Sequence, residues 1–106
     1  MIFAAKVNDI ESGRAVKVAG TAGDIAVFRD TTGDFFAVDD KCAHLGASLS
    51  QGTCADGVVE CWLHHGLYSL STGERVKYPA SGFLHTYDIE VRDDEIWVNP
   101  EPNQPA

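Results

Sequence analysis

The sequence predicts an all-β protein, and three observations carry that expectation. Short segments rich in β-branched and aromatic residues recur along the chain, turn-forming residues separate them, and no window shows an apolar stripe at helical period. The first such segment is Ala15-Val16-Lys17-Val18. Ile25-Ala26-Val27-Phe28 and Phe35-Phe36-Ala37-Val38 follow, with Asp30-Thr31-Thr32-Gly33 between them as a hairpin connection, so these three segments are expected to lie side by side as antiparallel strands. Further on, Phe83, His85, Tyr87, Ile89 and Val91 alternate with Leu84, Thr86, Asp88 and Glu90. That two-residue period predicts a strand with one largely apolar face, which places Tyr87 in the core and makes His85 a satisfied core histidine. A turn at Arg92-Asp93-Asp94 leads into Glu95-Ile96-Trp97-Val98, with Trp97 assigned to the core. The tail, residues 99–106, holds three of the four prolines and no apolar pattern, and a frayed end is expected there.

Size and composition bound the remaining possibilities. A chain of 106 residues can bury one modest core, so residues 1–106 are expected to form a single domain, and 44% hydrophobic residues is ordinary for a globular protein. No apolar run approaches the roughly 20 residues that cross a bilayer, and Met1-Ile2-Phe3-Ala4-Ala5-Lys6 has no signal-peptide layout. A soluble cytoplasmic protein without a membrane partner is expected. Eight basic against sixteen acidic residues give a net charge of -8, which repels phosphate backbones and argues against nucleic acid as a partner. The acids are unevenly placed. Asp24, Asp30, Asp34, Asp39 and Asp40 precede residues 41–80, and Asp88, Glu90, Asp93, Asp94 and Glu95 follow them. A negative body with an apolar tip at Leu45, Trp62 and Leu63 suits steering toward a basic partner and close docking.

The chemistry lies in two short segments, Cys42-Ala43-His44 and Cys61-Trp62-Leu63-His64. Each supplies one thiolate and one imidazole, and sixteen residues separate His44 from Cys61, enough for two loops to approach one centre from opposite sides. Two cysteines on one iron and two histidines on the other match an asymmetric [2Fe-2S] cluster. Zinc also takes two Cys and two His, but its structural sites usually pair Cys with Cys and His with His at short spacing, whereas each segment here mixes the two. A zinc-stabilised binding module is therefore the competing reading. His65 follows a ligand and is assigned to the surface. Cys54, the third cysteine, is expected as a structural thiol in a loop or partly buried.

The flanks of these segments carry a family resemblance. Cys42-Ala43-His44-Leu45-Gly46-Ala47-Ser48-Leu49-Ser50-Gln51-Gly52, Glu60-Cys61-Trp62-Leu63-His64-His65-Gly66-Leu67-Tyr68, Ser71-Thr72-Gly73-Glu74 and Pro79-Ala80 together resemble a Rieske protein. Within that family the chain is most similar to the small soluble ferredoxins of bacterial aromatic-ring-hydroxylating dioxygenases of the biphenyl, naphthalene and phenylpropionate type. The resemblance implies an antiparallel β sandwich or barrel base and a cluster-binding subdomain of two loops, about residues 41–80, with Pro79-Ala80 covering the cluster. It also implies one [2Fe-2S] cluster per chain held by Cys42, His44, Cys61 and His64. Gly46, Gly52, Gly66 and Gly73 would allow tight turns and close approach of backbone N–H groups to sulfur. The implied function is one-electron transfer from an NAD(P)H-dependent flavoprotein reductase to a terminal Rieske oxygenase, by a monomer with no catalytic residues of its own. The small subunit of an assimilatory nitrite reductase is the alternative within the family.

Departures from the pattern are informative. Respiratory and photosynthetic Rieske proteins add a cysteine to each loop and join them in a disulfide; Ala47 and Leu63 stand at those positions here, which fits a reducing cytosol. Trp62 stands where many relatives have proline, and Tyr68 where the soluble ferredoxins usually have phenylalanine. Tyr68 resembles in position a tyrosine that hydrogen-bonds a cluster ligand in high-potential relatives; simple packing is the other reading of it.

Overall fold

Four consecutive apolar side chains, Ile25-Ala26-Val27-Phe28, decide the architecture, because side chains in a strand alternate between faces and such a strand can leave neither face to water. The computed structural model describes residues 1–41, 47–62, 66–77 and 82–104. In it all four of these side chains are fully buried. They form strand β3, Asp24–Arg29, which pairs antiparallel with β2, Arg14–Ala19, on one side and β4, Phe35–Asp39, on the other. The three neighbours expected from the sequence are thus adjacent, and the β3–β4 hairpin turns at Asp30-Thr31-Thr32-Gly33, where the Gly33 N–H donates to the Asp30 carbonyl at 2.9 Å.

A second sheet covers one face of the first and a third covers the other. β1, Ile2–Lys6, β11, Glu95–Val98, and β10, Ile89–Arg92, form an antiparallel sheet in the order β1-β11-β10. Their Ala5, Ile96 and Val98 pack with Ile25, Val27, Ala37 and Tyr87. β5, Thr53–Ala55, β6, Val58–Glu60, β7, Leu67–Ser69, and β8, Arg75–Lys77, form a meander. Cys54, Val59, Tyr68 and the following Leu70 pack with Ala26, Phe28, Val38, Leu49 and Leu84. Each large aliphatic or aromatic side chain buried in these cores contributes about 1.5–3 kcal/mol. The odd and even residues of β3 therefore serve two different cores.

The β5–β6 connection shows sequence chemistry at its plainest. Asp56 and Gly57 both have positive φ, 52° and 78°, the geometry of a two-residue hairpin turn in which Asp-Gly is favoured. This hairpin, with β1, β7 and β8, was not anticipated from the sequence, although Asp56-Gly57 is a strong turn signal.

The structure corrects two expectations about the C-terminal strands. The alternating segment 83–91 is not one strand: β9, Thr86–Tyr87, pairs with β4 in the middle sheet, and the chain crosses at Asp88 to β10 in the outer sheet. The expected single apolar face is therefore broken: Leu84, Thr86 and Tyr87 are buried while Phe83 and Val91 are each 48% exposed. Trp97 is half-buried, since Ile96 and Val98 take the inward positions of β11. Its ring meets Phe3 edge-on at 5.6 Å, and the Arg92 guanidinium lies 5.0 Å from its centroid. In the tail the Asn103 N–H donates to the Thr86 carbonyl at 2.8 Å, and the Gln104 side chain accepts from the Thr86 N–H at 2.8 Å. Polar side chains there satisfy the outer edge of short β9, a role that hydropathy does not reveal. No helix among the described residues is long and apolar enough to cross a membrane.

Candidate metal centre

Two backbone closures bracket the candidate ligand segments. Past β4, Lys41 and Ser48 form an isolated antiparallel bridge, which pinches the ends of the first loop. Past β6, the Cys61 N–H donates to the Gly66 carbonyl at 2.8 Å, which pinches the second. Cys61 itself is 2% exposed and belongs to the core cluster that includes Leu49, Val59, Tyr68 and Leu84. Cys42, His44 and His64 lie outside the described residues, as do Leu45, Leu63, His65, Gly46 and Pro79-Ala80. The structure therefore positions one of the four candidate ligands directly and the bases of both loops that carry the others.

Those bases touch. The Trp62 indole N–H donates to the Ser48 carbonyl at 2.8 Å. A Cβ on Gly52 would come within 2.7 Å of the Glu60 carbonyl oxygen, so the absence of a side chain there lets the end of β6 lie against the segment that follows the first loop. Ser48 is held in turn by Asp40. This carboxylate is 2% exposed; its Oδ2 accepts from the Ser48 hydroxyl at 2.6 Å and its Oδ1 from the Ser50 N–H at 2.9 Å. The Asp40 N–H also donates to the Asp24 carbonyl at 3.0 Å, tying this corner to the end of β3. Both carboxylate oxygens are satisfied, which offsets the cost of burying the charge. Sequence reasoning counted Asp40 among surface acids and missed its role. The signal was its place two residues before Cys42.

The other candidates resolve clearly. Trp62 is 44% exposed beside buried Cys61, in keeping with an apolar tip. Tyr68 is fully buried in the same core cluster as Cys61. Cys54 is buried on β5 rather than in a loop, and its thiol lies 3.7 Å from the Arg29 carbonyl. Burial foremost, and the Asp30 carboxylate next, push its pKa up to about 12, so it remains a thiol at neutral pH and makes a poor metal ligand. His85, expected in the core, is half-buried: its Nδ1 lies 2.8 Å from the Asp39 carboxylate, and its Nε2 finds no partner among the described residues. Tyr87 donates to the other Asp39 oxygen at 2.6 Å. Burial and then that bond hold the phenol well above its ordinary pKa.

Of the candidate donors the structure describes Cys61, a buried cysteine beside a backbone closure on an all-β frame, and that setting fits an iron-sulfur protein. Comparison with known proteins gives the same class. Residues 1–88 match the Rieske [2Fe-2S] domain, and the chain belongs to that family. It is similar to the 3-phenylpropionate/cinnamic acid dioxygenase ferredoxin subunit of Photorhabdus laumondii, with 40% identity over 104 residues that cover 97% of each chain. The ferredoxin subunit of the same name from Escherichia coli K12 is 36% identical, over 98% of this chain and 97% of its own. Among solved structures, a chain from the complex of reduced oxygenase and oxidized ferredoxin in carbazole 1,9a-dioxygenase superposes with a TM-score of 0.87 at 30% identity, covering 98% of this chain and 96% of that one. The all-β Rieske ferredoxin fold expected from the sequence is the fold observed.

Proposed function

We propose that this chain is the ferredoxin component of an aromatic-ring dioxygenase system: a cytoplasmic, monomeric one-electron carrier with one [2Fe-2S] cluster held by Cys42, His44, Cys61 and His64. It takes electrons from an NAD(P)H-dependent flavoprotein reductase and passes them to a terminal Rieske oxygenase, which binds the aromatic substrate. The observation that carries this reading is similarity to named ferredoxin subunits along 97% of their own length. The cluster would supply a one-electron couple, with histidine ligation raising its potential above that of an all-cysteine centre.

The chain's own residues support the task by exclusion and presentation. Leu49, Val59, Tyr68 and Leu84 surround Cys61 with apolar groups that keep water from it, while adjacent Trp62 offers an exposed ring for a partner. A net charge of -8 favours encounter with a basic surface and makes that encounter sensitive to salt.

Two measurements test the reading. Freshly purified protein should contain iron and acid-labile sulfide in equal amounts, two of each per chain; stoichiometric zinc without sulfide would instead establish the zinc module. With reductase and oxygenase supplied together, the protein should support ring hydroxylation at rates that fall as salt rises. Hydroxylation by this chain alone would overturn the carrier role.

A further inference from the structure

The two ligand segments are joined by something other than the metal centre. The Trp62 indole N–H is bonded to the Ser48 carbonyl at 2.8 Å, so the residue after Cys61 is fastened to the closing end of the first loop. Ser48 is fixed by its hydroxyl on Asp40 Oδ2 at 2.6 Å, and Asp40 is fixed by the Ser50 N–H at 2.9 Å and by its own N–H on Asp24 at 3.0 Å. The Ser50 hydroxyl lies 3.0 Å from that of Ser48. The chain of contacts thus runs from the middle sheet, through a buried carboxylate, across the first loop and into the second.

We propose that Asp40, Ser48 and Trp62 form a hydrogen-bonded clasp that holds together the chain flanking the two candidate ligand segments, which makes all three positioning residues for cluster retention. The proposal rests on the carrier reading for the identity of the group retained. Its physical basis is direct. A cluster held by one Cys/His pair from each loop leaves when the loops separate, and separation here requires the indole bond to break. Trp62 reaches solvent on one side, yet its polar edge is committed inward; an exposed tryptophan selected for contact area alone has no need of that bond.

The test uses loaded protein and follows loss of visible absorbance after addition of a strong iron chelator. Trp62→Phe keeps an aromatic ring and deletes the donor; it should release the cluster about five- to tenfold faster, the size of effect one hydrogen bond confers. Asp40→Ala should match or exceed it, and Asp40→Asn, which can still accept one bond, should fall between Asp40→Ala and the parent. Ser48→Ala breaks the same chain without emptying the carboxylate position. Because Trp62 and Asp40 act through Ser48, the combined variant Trp62→Phe/Asp40→Ala should release no faster than Asp40→Ala alone. Circular dichroism of the cluster bands should change in Trp62→Phe while far-ultraviolet dichroism stays the same. Parent-like release by Trp62→Phe, or effects that multiply in the combined variant, would overturn the clasp. Failure of the carrier reading has a different signature: parent protein that gives no turnover with reductase and oxygenase, whatever the release rates.

Discussion

Each end of the β3–β4 pair carries a buried aspartate and, near it, a buried cysteine, and the two ends use the same materials differently. At the hairpin end Asp30 is 1% exposed; its Oδ2 accepts from the Gly57 N–H at 2.9 Å and the Thr32 hydroxyl at 2.7 Å, so it ties the middle sheet to the β5–β6 turn. Cys54 lies beside it as an inert thiol. At the other end Asp40 holds Ser48 and Ser50, and through Ser48 and Trp62 it is linked to the residue after Cys61. A buried carboxylate with backbone donors is a general way to fix a corner. What differs is the object fixed: a turn between strands in one case and the chain flanking the two candidate ligand segments in the other.

The largest expected contrast separates the two cysteines. Cys61→Ser should abolish stable cluster assembly, while Cys54→Ser should yield coloured protein with the parent's iron and sulfide content. Loss of colour in Cys54→Ser would mean the ends had been assigned in reverse.

Alkylation sharpens the same contrast. A rise from 9.0 to about 12 lowers the thiolate fraction of Cys54 at neutral pH roughly a thousandfold, so the folded protein should resist iodoacetamide at this position and react once unfolded. Mass spectrometry of the modified peptide reads this directly, and rapid labelling of folded protein would contradict the assigned environment.

Asp30 supplies a pH-dependent effect of intermediate size. Burial opposes its charge, but the Gly57 N–H, the Thr32 hydroxyl and the backbone N–H groups of Thr32 and Thr31 outweigh burial and hold its pKa below the ordinary 3.8. A depressed carboxylate stabilises the fold above the unfolded-state pKa and loses that contribution as pH falls through the lower folded value. Asp30→Asn should therefore cost about 1–3 kcal/mol at neutral pH. Denaturant titrations should show the gap to the parent shrinking below about pH 4. A gap that widens with acid would reverse the assignment.

The smallest effect concerns Tyr68. If its hydroxyl donates to a cluster ligand, about 1 kcal/mol of preference for the reduced state corresponds to roughly 40 mV for one electron. Tyr68→Phe should then lower the potential by some tens of millivolts in voltammetry; an unchanged potential would leave Tyr68 as packing alone.

How much of this was legible beforehand depended on whether the signal was local. β2, β3 and β4 were readable because apolar runs and the Asp30–Gly33 turn are contiguous in sequence, and the Rieske class because Cys and His in two mixed, short-spaced segments have few uses. The strand over 83–91 was misread because its alternation continues through a change of sheet at Asp88, which depends on what lies above and below. Trp97 was misread because a large aromatic on an outer face can bury itself against neighbours such as Phe3 and Arg92. Asp40 was missed as a structural residue because composition does not separate a buried acid from the surface acids around it, and its place two residues before Cys42 was the one signal it offered. Its meaning comes from Ser48 and Ser50, eight and ten residues away.

Pairing of β1 with β11, with Ile2 opposite Val98, has an architectural consequence. The strands nearest the two ends of the domain meet in one sheet, the outer sheet, whereas both ligand segments branch from the opposite side of the topology, between β4 and β7. The outer sheet and the β5–β8 meander share no strand, and each packs on its own face of the middle sheet, so a change in one core reaches the other only through β2, β3, β4 and β9.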